Sequence, residues 1–267
     1  MKNAIRYFGG KGRLSEYIIS LMPVHRVYVE PFGGGASVLI RKPIAEREVY
    51  NDISHEVVNF FKWLRDDPRR LIRAIHYTPF SRAENIAAWN YAGNDSLELA
   101  RTFYIRCYQS FGGGGLDRQC GWRFGVKSRR TAITDWNKTA HLWQIAERLR
   151  PVQIECGDAL KVSVQCDTED TLHYWDPPYV HSTRPHGENF RGYRYEMTNE
   201  QHIKMAETAH GLKGKVIISG YRSDLYEELF GSWRRIDIES RAVNNKKRIE
   251  CIWVSPNCAA PIQQMLF

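Results

Sequence analysis

Nowhere does the 267-residue chain approach the ~20 consecutive apolar residues that a membrane-spanning helix needs, so no membrane association of that kind is expected. Its first residues, Met-Lys-Asn-Ala-Ile-Arg, hold no apolar stretch of the kind that marks a secretory leader. Cysteine is sparse. Cys107, Cys120, Cys156, Cys166, Cys251 and Cys258 stand apart, and no two form a C-x-x-C pair. That argues against a structural zinc site and for reduced, mostly buried thiols in a cytoplasmic protein. Internal repeats and low-complexity tracts are missing too. So are the G-x-S-x-G turn of serine hydrolases, the H-E-x-x-H pair of zinc proteases and an EF-hand loop. The nine histidines form no metal-ligand spacing, so no metal is expected, and His173, in a strand-like run, reads as structural. Phe8-Gly9-Gly10-Lys11-Gly12 has no Ser or Thr after its lysine and no strand before it, which excludes a phosphate-binding loop. Taken alone it is an N-terminal turn with a solvated lysine.

What the chain does have is basic charge. Thirty-eight Lys and Arg against 30 Asp and Glu leave a net charge of +8. The distribution says more than the sum. Arg65, Arg69, Arg70 and Arg73 cluster, as do Lys127, Arg129 and Arg130, then Arg184, Arg191 and Arg194, then Lys246, Lys247 and Arg248. Several clusters are interleaved with Trp or Tyr, a pattern that suits phosphate contact beside base stacking.

Short apolar runs ending in Pro, Gly or Asn-Asp punctuate both ends of the chain. Val27–Glu30 and Glu48–Tyr50 read as strands, and after Pro151 so do 152–156, 172–175, 215–219, 233–239 and 248–254. Between them Val57, Phe60, Phe61 and Leu64 recur at helical spacing until Pro68, and further helical stretches fall near 82–92, 96–110 and 135–149. Thr198 with Gln201 is a capping box opening a helix to about 210, and Ser223–Phe230 reads as another helix. Alternating strands and helices predict a doubly wound α/β sheet of seven strands. The last two strands have no crossover between them and must be antiparallel. The stretch of about 60–145 reads as a helical insertion.

Glu30-Pro31-Phe32-Gly33-Gly34-Gly35-Ala36 follows the first strand, where glycines let the backbone turn tightly and approach a ligand. Val38 stands where a dinucleotide fingerprint has its third glycine, so a turn around an uncharged adenosyl group fits better than a pyrophosphate site. Asp52 ends the second strand about twenty residues on, where an acid typically holds ribose hydroxyls. Gly157-Asp158 ends the third; Asp158 is either a helix N-cap or another carboxylate at the ligand-facing rim.

Asp176-Pro177-Pro178-Tyr179 follows the fourth strand at the edge where ligands bind in open α/β sheets. Such a tetrad suits methylation of adenine N6, a poor nucleophile because its lone pair is delocalised into the ring. The Asp176 carboxylate and the Pro177 carbonyl can accept both N–H bonds and let the nitrogen rehybridise. Proline fixes the backbone that carries them, and Tyr179 offers a face for an extruded base. No covalent enzyme intermediate is needed.

In this order, these residues resemble the Dam-like family of DNA adenine-N6 methyltransferases (D12 class, alpha group). Ala4–Lys11 is similar to its N-terminal motif, which implies Tyr7 and Lys11 at the cofactor. Val29–Gly35 resembles its cofactor turn, implicating Glu30, Pro31, Phe32, Gly33 and Gly35. Asn51-Asp52-Ile53 resembles its ribose-holding acid, and Cys156-Gly157-Asp158 the segment at the cofactor's adenine. Asp176, Pro177, Pro178 and Tyr179 match its catalytic motif, with Asp176 also at the cofactor. Lys246–Glu250 is similar to a basic segment opening the last strand.

The resemblance implies a Rossmann-like sheet that uses S-adenosylmethionine, releases S-adenosylhomocysteine and needs no metal. It further implies a catalytic domain of residues 1–58 and 146–267, with an inserted helical target-recognition subdomain of 59–145. Double-stranded DNA is the implied partner, in the cytoplasm or on the nucleoid of a prokaryotic or phage-infected cell. The chain is expected as a monomer or weak dimer, and a separately encoded restriction endonuclease is a companion such enzymes can have. The rivals are cytosine-N4, RNA-adenine or glutamine methylation on the same scaffold, and a non-catalytic DNA-binding protein.

One segment departs from the pattern. Phe111-Gly112-Gly113-Gly114-Gly115-Leu116-Asp117-Arg118 keeps the Leu and Arg of the recognition hairpin but has glycine in place of its polar positions. By resemblance Arg118 would read guanine edges and Leu116 would wedge between bases. Trp122, Arg123, Lys127, Arg129, Arg130 and, on a loop expected to order over DNA, Arg191 would complete the DNA contacts. With fewer polar side chains to read base edges, a short or relaxed sequence preference is expected. Methylome sequencing checks this: a strict site of four or more base pairs is the contrary outcome.

Overall fold

The computed structural model describes residues 1–114, 121–124, 132–183, 192–241 and 247–258. Its centre is a seven-stranded sheet built from β1 (Val27–Glu30), β2 (Arg47–Asn51), β3 (Val152–Glu155), β4 (Thr171–Trp175), β5 (Lys215–Gly220), β6 (Arg234–Arg241) and β7 (Lys247–Val254). The strand order is β3-β2-β1-β4-β5-β7-β6. Neighbours from β3 to β5 run parallel, and β7 enters antiparallel between β5 and β6. The expected seven strands and antiparallel close are therefore both present. Every residue of β4 is buried, as are Tyr28, Val29 and Glu30 of β1. Strands covered on both faces lose the apolar–polar alternation of a one-sided sheet, which is why they read as continuous runs. Strand order reverses between β1 and β4. The carboxyl ends of those two strands flank the crevice where such sheets take ligands.

The helices fall on both faces. On one, β4, β5 and β7 pack with α9 (Asn199–Gly211) and α10 (Asp224–Phe230) around Trp175, Met205, Ile218, Phe230 and Trp253. On the other, the connection from β2 to β3 is expanded into α2 (His55–Asp66), α3 (Pro68–His76), α4 (Arg82–Asn90), α5 (Ser96–Gln109), α6 (Ala132–Trp136) and α7 (His141–Leu149). Their apolar side chains are continuous with the sheet, because Phe60, Tyr104 and Leu142 join Tyr28, Tyr50 and Leu172 in a single cluster. The limits at 59 and 145 given above for the insertion thus fall inside α2 and α7. Those two helices complete the β2–β3 crossover, and the others extend from them.

Pro68 stops α2, as its sequence predicts, but then occupies the first turn of α3, where its missing N–H costs nothing. The helical run expected over 135–149 is broken between α6 and α7. Asn137, Lys138, Thr139 and Ala140 intervene, Asn137 and Thr139 being weak helix formers. Besides α3, two short helices not picked out in the sequence, α1 (Ser15–Ser20) and α8 (Ala159–Gln165), follow the N-terminal turn and β3. The Thr198–Gln201 capping box is formed at the start of α9. No helix among the described residues is long and apolar enough to cross a membrane.

A buried ionic cluster ties the expanded crossover to the sheet. Glu48 on β2 accepts from Lys42 Nζ at 2.6 Å and from Arg148 Nη1 of α7 at 2.5 Å. Arg148 also donates to the Leu39 carbonyl at 2.8 Å, just past the glycine turn. Burial alone would push the Glu48 carboxyl up, but Arg148 and Lys42 hold it below its ordinary value. Glu48 is the anion that both cations share, so taking it away strands two positive charges in the core. Glu48→Leu should therefore cost about 3–5 kcal/mol in urea unfolding, whereas Arg150→Ala, at an exposed pair with Glu147, leaves the midpoint unchanged.

His173 on β4 is fully buried, with Nε2 3.3 Å from Asp167 Oδ1, and burial pulls its pKa down to about 4. The unfolded chain binds this proton near pH ~6.5 and the folded one only near 4, so stability from His173 falls as pH drops through that window. His173→Gln should flatten the acid side of the stability–pH curve between those values. An unchanged slope is the opposing result.

Candidate active site

β1 stops at Pro31, and the chain turns back on itself through Gly33–Ala36. Gly34 and Ala36 take positive φ, 44° and 52°. Gly33 is required sterically, since a Cβ there would lie 2.1 Å from the Tyr50 ring. The turn is pinned by the end of β2. Gly33 N–H donates to the Asn51 carbonyl and Gly34 N–H to Asp52 Oδ2, both at 2.8 Å, while Asp52 Oδ1 accepts from Ser54 N–H. Asn51, fully buried, joins three strand ends: its amide donates to the Pro31 and Gly157 carbonyls, and its oxygen accepts from Gly157 N–H. The adjacent Asp158 caps α8 by accepting from Leu160 and Lys161 N–H and also faces the same cavity, so both of its alternative readings hold geometrically.

The N-terminal segment closes the site from the other side. Lys11 is not the solvated lysine that its turn suggests in isolation; it is 6% exposed. Its Nζ lies 2.7 Å from Asp176 Oδ1 and donates to Oδ2 at 2.9 Å and to the Gly9 carbonyl at 3.0 Å. The ammonium also sits 4.8 Å from the centre of the Tyr179 ring and 4.0 Å from Glu250 Oε2. Tyr179 in turn packs edge-on against Tyr221, and its hydroxyl donates to Glu250 Oε2 at 3.4 Å. Asp176 Oδ1 is buried against the ammonium, and Tyr179 hydrogen-bonds to the Asp176 carboxyl as well as to Glu250.

These pieces enclose one cavity of about 370 Å³, within the range of small-molecule sites. Tyr7, Lys11, Glu30, Pro31, Phe32 and Gly33 line it, with Gly35, Asp52, Asp158, Asp176 and Pro178. Every position expected at the cofactor is thus gathered in one place. Pro177 and Tyr179 are buried behind this wall. The Tyr7 side chain lies over Gly34 and Gly35: a Cβ on Gly34 would come within 2.9 Å of its ring, and one on Gly35 within 3.0 Å of its Cβ.

The cavity also has walls that the sequence reading did not assign to the cofactor, Arg194 and Tyr193 among them having been expected over DNA. Glu56 at the start of α2 pairs with Arg106 of α5 at 2.7 Å and with Arg194 at 2.9 Å. Tyr193 places its hydroxyl over Gly9 and its ring 5.0 Å from that of Phe8. Glu250, which the sequence places in a basic segment, stands outside the cavity lining, against Tyr179 and Lys11. Phe103 and Arg106, one turn apart on an amphipathic helix, were a signal that spacing alone could have offered.

Electrostatically the cavity is acidic but only partly ionised. Burial pushes Glu30 up to about 8, against the hydrogen bonds from Tyr28 and Leu39, and Asp52 up to about 6 against those from Ser54 and Gly34. Asp176 is raised by burial, opposed by Lys11 and reinforced by Glu250. Burial acts to lower Lys11, and Asp176 with Glu250 overrides it, leaving the ammonium firmly charged. A ligand with a flat aromatic head, ribose hydroxyls and a cationic tail meets complementary groups here. Among the described residues no group of His, Cys, Asp and Glu is placed to hold a metal ion.

Of the residues expected on DNA, Trp122 and Arg123 are described and lie away from the cavity. Trp122 bridges to Ser110 and packs on Phe80 at 4.6 Å; Arg123 reaches Asp135 and the Tyr108 carbonyl, both at 3.4 Å. Leu116, Arg118, Lys127, Arg129, Arg130 and Arg191 lie outside the described residues. The glycines before them have a packing reason. Gly113 has φ 87° and a Cβ there would meet the Arg6 carbonyl at 2.6 Å; one on Gly114 would meet Cys107 Sγ at 2.4 Å.

Comparison with known proteins agrees with this geometry. A family model described as D12 class N6 adenine-specific DNA methyltransferase matches residues 7–244. A DNA N-6-adenine-methyltransferase of Escherichia phage P1 is 24% identical over 238 residues, 86% of this chain, which spans only 31% of that protein. The type II methyltransferase M1.LlaDCHI of Lactococcus lactis subsp. cremoris is 23% identical, with 91% of this chain and 89% of that one covered. A DNA adenine methylase of Haemophilus influenzae is 24% identical, covering 92% and 90%. The chain belongs to the D12 class of N6 adenine-specific DNA methyltransferases.

Proposed function

We propose that the chain methylates N6 of an adenine extruded from double-stranded DNA, using S-adenosylmethionine. The observation that carries this reading is the meeting of Asp176 with the glycine turn and Asp52 in one cavity. When bound there, S-adenosylmethionine supplies an electrophilic methyl group on a cationic sulfur.

The residues of the chain then have distinct tasks. The Pro31–Gly35 turn and the Tyr7 ring flank the adenosyl group. Asp52 has one backbone donor on each oxygen and keeps a lone pair on each for ribose hydroxyls. Asp158 and Glu30 border the same ligand, and Glu30, raised to about 8, gains its charge when a cationic tail approaches. The Asp176 carboxylate, with lone pairs beyond those that Lys11 engages, accepts one adenine N–H, and the Pro177 carbonyl accepts the other. Drawing both bonds toward acceptors localises the N6 lone pair. As N6 gains the methyl it must shed a proton, and Asp176 is the acceptor in reach. Tyr179 supplies a wall on which the base can stack once Lys11 shares its face with the ligand.

In this reading Leu116, Arg118, Lys127, Arg129, Arg130 and Arg191 contact DNA, while Trp122 and Arg123 brace the base of the recognition hairpin. Residues 59–145 form the recognition region and 1–58 with 146–267 the catalytic one. A monomer or weak dimer in the cytoplasm, with or without a separately encoded endonuclease, completes the picture.

Incubation with labelled S-adenosylmethionine and unmethylated DNA, followed by nucleoside analysis, tests the assignment. Label should appear in N6-methyladenine and fall by ~10²–10³ in kcat for Asp176→Ala. Label in cytosine, or an undiminished rate in the variant, refutes it.

A further inference from the structure

β7 is the one strand of the described sheet that begins, rather than ends, at the ligand-facing rim. Parallel strands bring their carboxyl ends to that edge. β7 runs the other way, with Cys251 opposite Gly220 at the end of β5. Glu250, one residue closer to the start of β7, therefore arrives beside the tetrad, 18% exposed in its side chain. A single carboxylate oxygen serves two neighbours there. Oε2 accepts from the Tyr179 hydroxyl at 3.4 Å and lies 4.0 Å from Lys11 Nζ.

We propose that Glu250 is a positioning residue for methyl transfer: it anchors Tyr179 and draws on the Lys11 ammonium, so that Asp176 keeps the acceptor strength that the substrate amine requires. This rests on the function proposed above. Its physical basis is the division of one cation between two anions. Lys11 Nζ has Asp176 Oδ1 at 2.7 Å, Asp176 Oδ2 at 2.9 Å and the Gly9 carbonyl at 3.0 Å, while Glu250 Oε2 stands at 4.0 Å and acts on the ammonium through its charge rather than through a hydrogen bond. Were Asp176 the sole counter-ion, the pair would be nearly neutral and the carboxylate a weaker hydrogen-bond acceptor. With Glu250 present, two carboxylates face one ammonium and the cluster holds net negative charge. That field favours the positive charge that develops on N6 as the methyl arrives. Anchoring the Tyr179 hydroxyl also fixes the plane of the ring that both Lys11 and an extruded base would use.

Separating the charge from the contacts needs two variants. Glu250→Gln keeps the length and an acceptor for Tyr179 but removes the charge. Glu250→Asp keeps the charge but draws it back by one methylene. The groups that bear on Asp176 electrostatically are Lys11 from the N-terminal segment, Glu30 from β1, Tyr174 from β4, Tyr179, Tyr226 from α10 and Glu250 itself. Glu250 alone is altered, and it acts to raise Asp176. Single-turnover methylation of duplex DNA across a range of pH, with S-adenosylmethionine affinity by calorimetry and thermal melting alongside, reads both effects.

For Glu250→Gln the rate should fall about tenfold, and the acid limb should move to lower pH by roughly half a unit to one unit. Cofactor affinity should stay within about threefold. For Glu250→Asp the rate should fall while the limb stays in place. Wild-type rate and limb in Glu250→Gln would overturn the proposal. So would a fall shared equally by rate, cofactor affinity and melting temperature with an unmoved limb, which is what a purely structural role produces. A wild-type chain that does not methylate adenine refutes the proposed function as well, whereas an active wild type with an unaffected Glu250→Gln refutes this inference alone.

Discussion

The ion pair between Lys11 and Asp176 is the contact on which the site depends. It joins residues 165 positions apart, at 2.7 Å and almost out of solvent. A charge so placed is tolerated only when it is paired and hydrogen-bonded, and Lys11 meets both conditions through Asp176 and the Gly9 carbonyl. The N-terminal segment is thereby drawn across the carboxyl ends of β1 and β4, with Tyr7 over the glycine turn. Without this pair the cavity would lose one wall and the Asp176 carboxylate would lose its counter-ion.

The sheet makes the pair possible by where it changes direction. Reversal of strand order between β1 and β4 leaves a gap above Glu30 and Asp176, and Asn51 and Asp52 at the end of β2 hold the glycine turn at its border. The Glu48–Arg148–Lys42 cluster fastens the far end of the expanded crossover to the same sheet. Rigid elements thus carry the acceptors. The surfaces that differ most among relatives of such a fold are relegated to the insertion and to loops.

Much of this was legible in the sequence, for identifiable reasons. Doubly covered strands are apolar throughout and end in Pro, Gly or Asp, so β1, β4 and β5 stood out. Asp176–Tyr179 stood out because two prolines restrict their neighbours whatever the context. What stayed hidden depends on partners distant in the chain. Lys11 as a lone residue is a solvated cation; only Asp176 makes it a buried one. Glu48, Lys42 and Arg148 look like surface charges until the fold brings them together. Glu250 acquires meaning from an antiparallel register that no local pattern encodes. Pro68 read as a stop, although the same rigidity opens α3. The glycines at 113 and 114 read as lost base contacts, yet the Arg6 carbonyl and Cys107 Sγ leave no room for a Cβ.

Those glycines let the backbone of residues 113 and 114 lie against the N-terminal segment, where Gly114 N–H donates to the Arg6 carbonyl at 2.7 Å and Phe8 N–H to the Gly114 carbonyl at 3.0 Å. Tyr7 is the residue enclosed by that pair of bonds. The wall that Tyr7 gives the cavity and the backbone of residues 113 and 114 are therefore two sides of a single strip. A side chain forced onto Gly113 or Gly114 would push that strip aside and carry Tyr7 with it, so a bulkier residue there would deform the cavity without touching its contents.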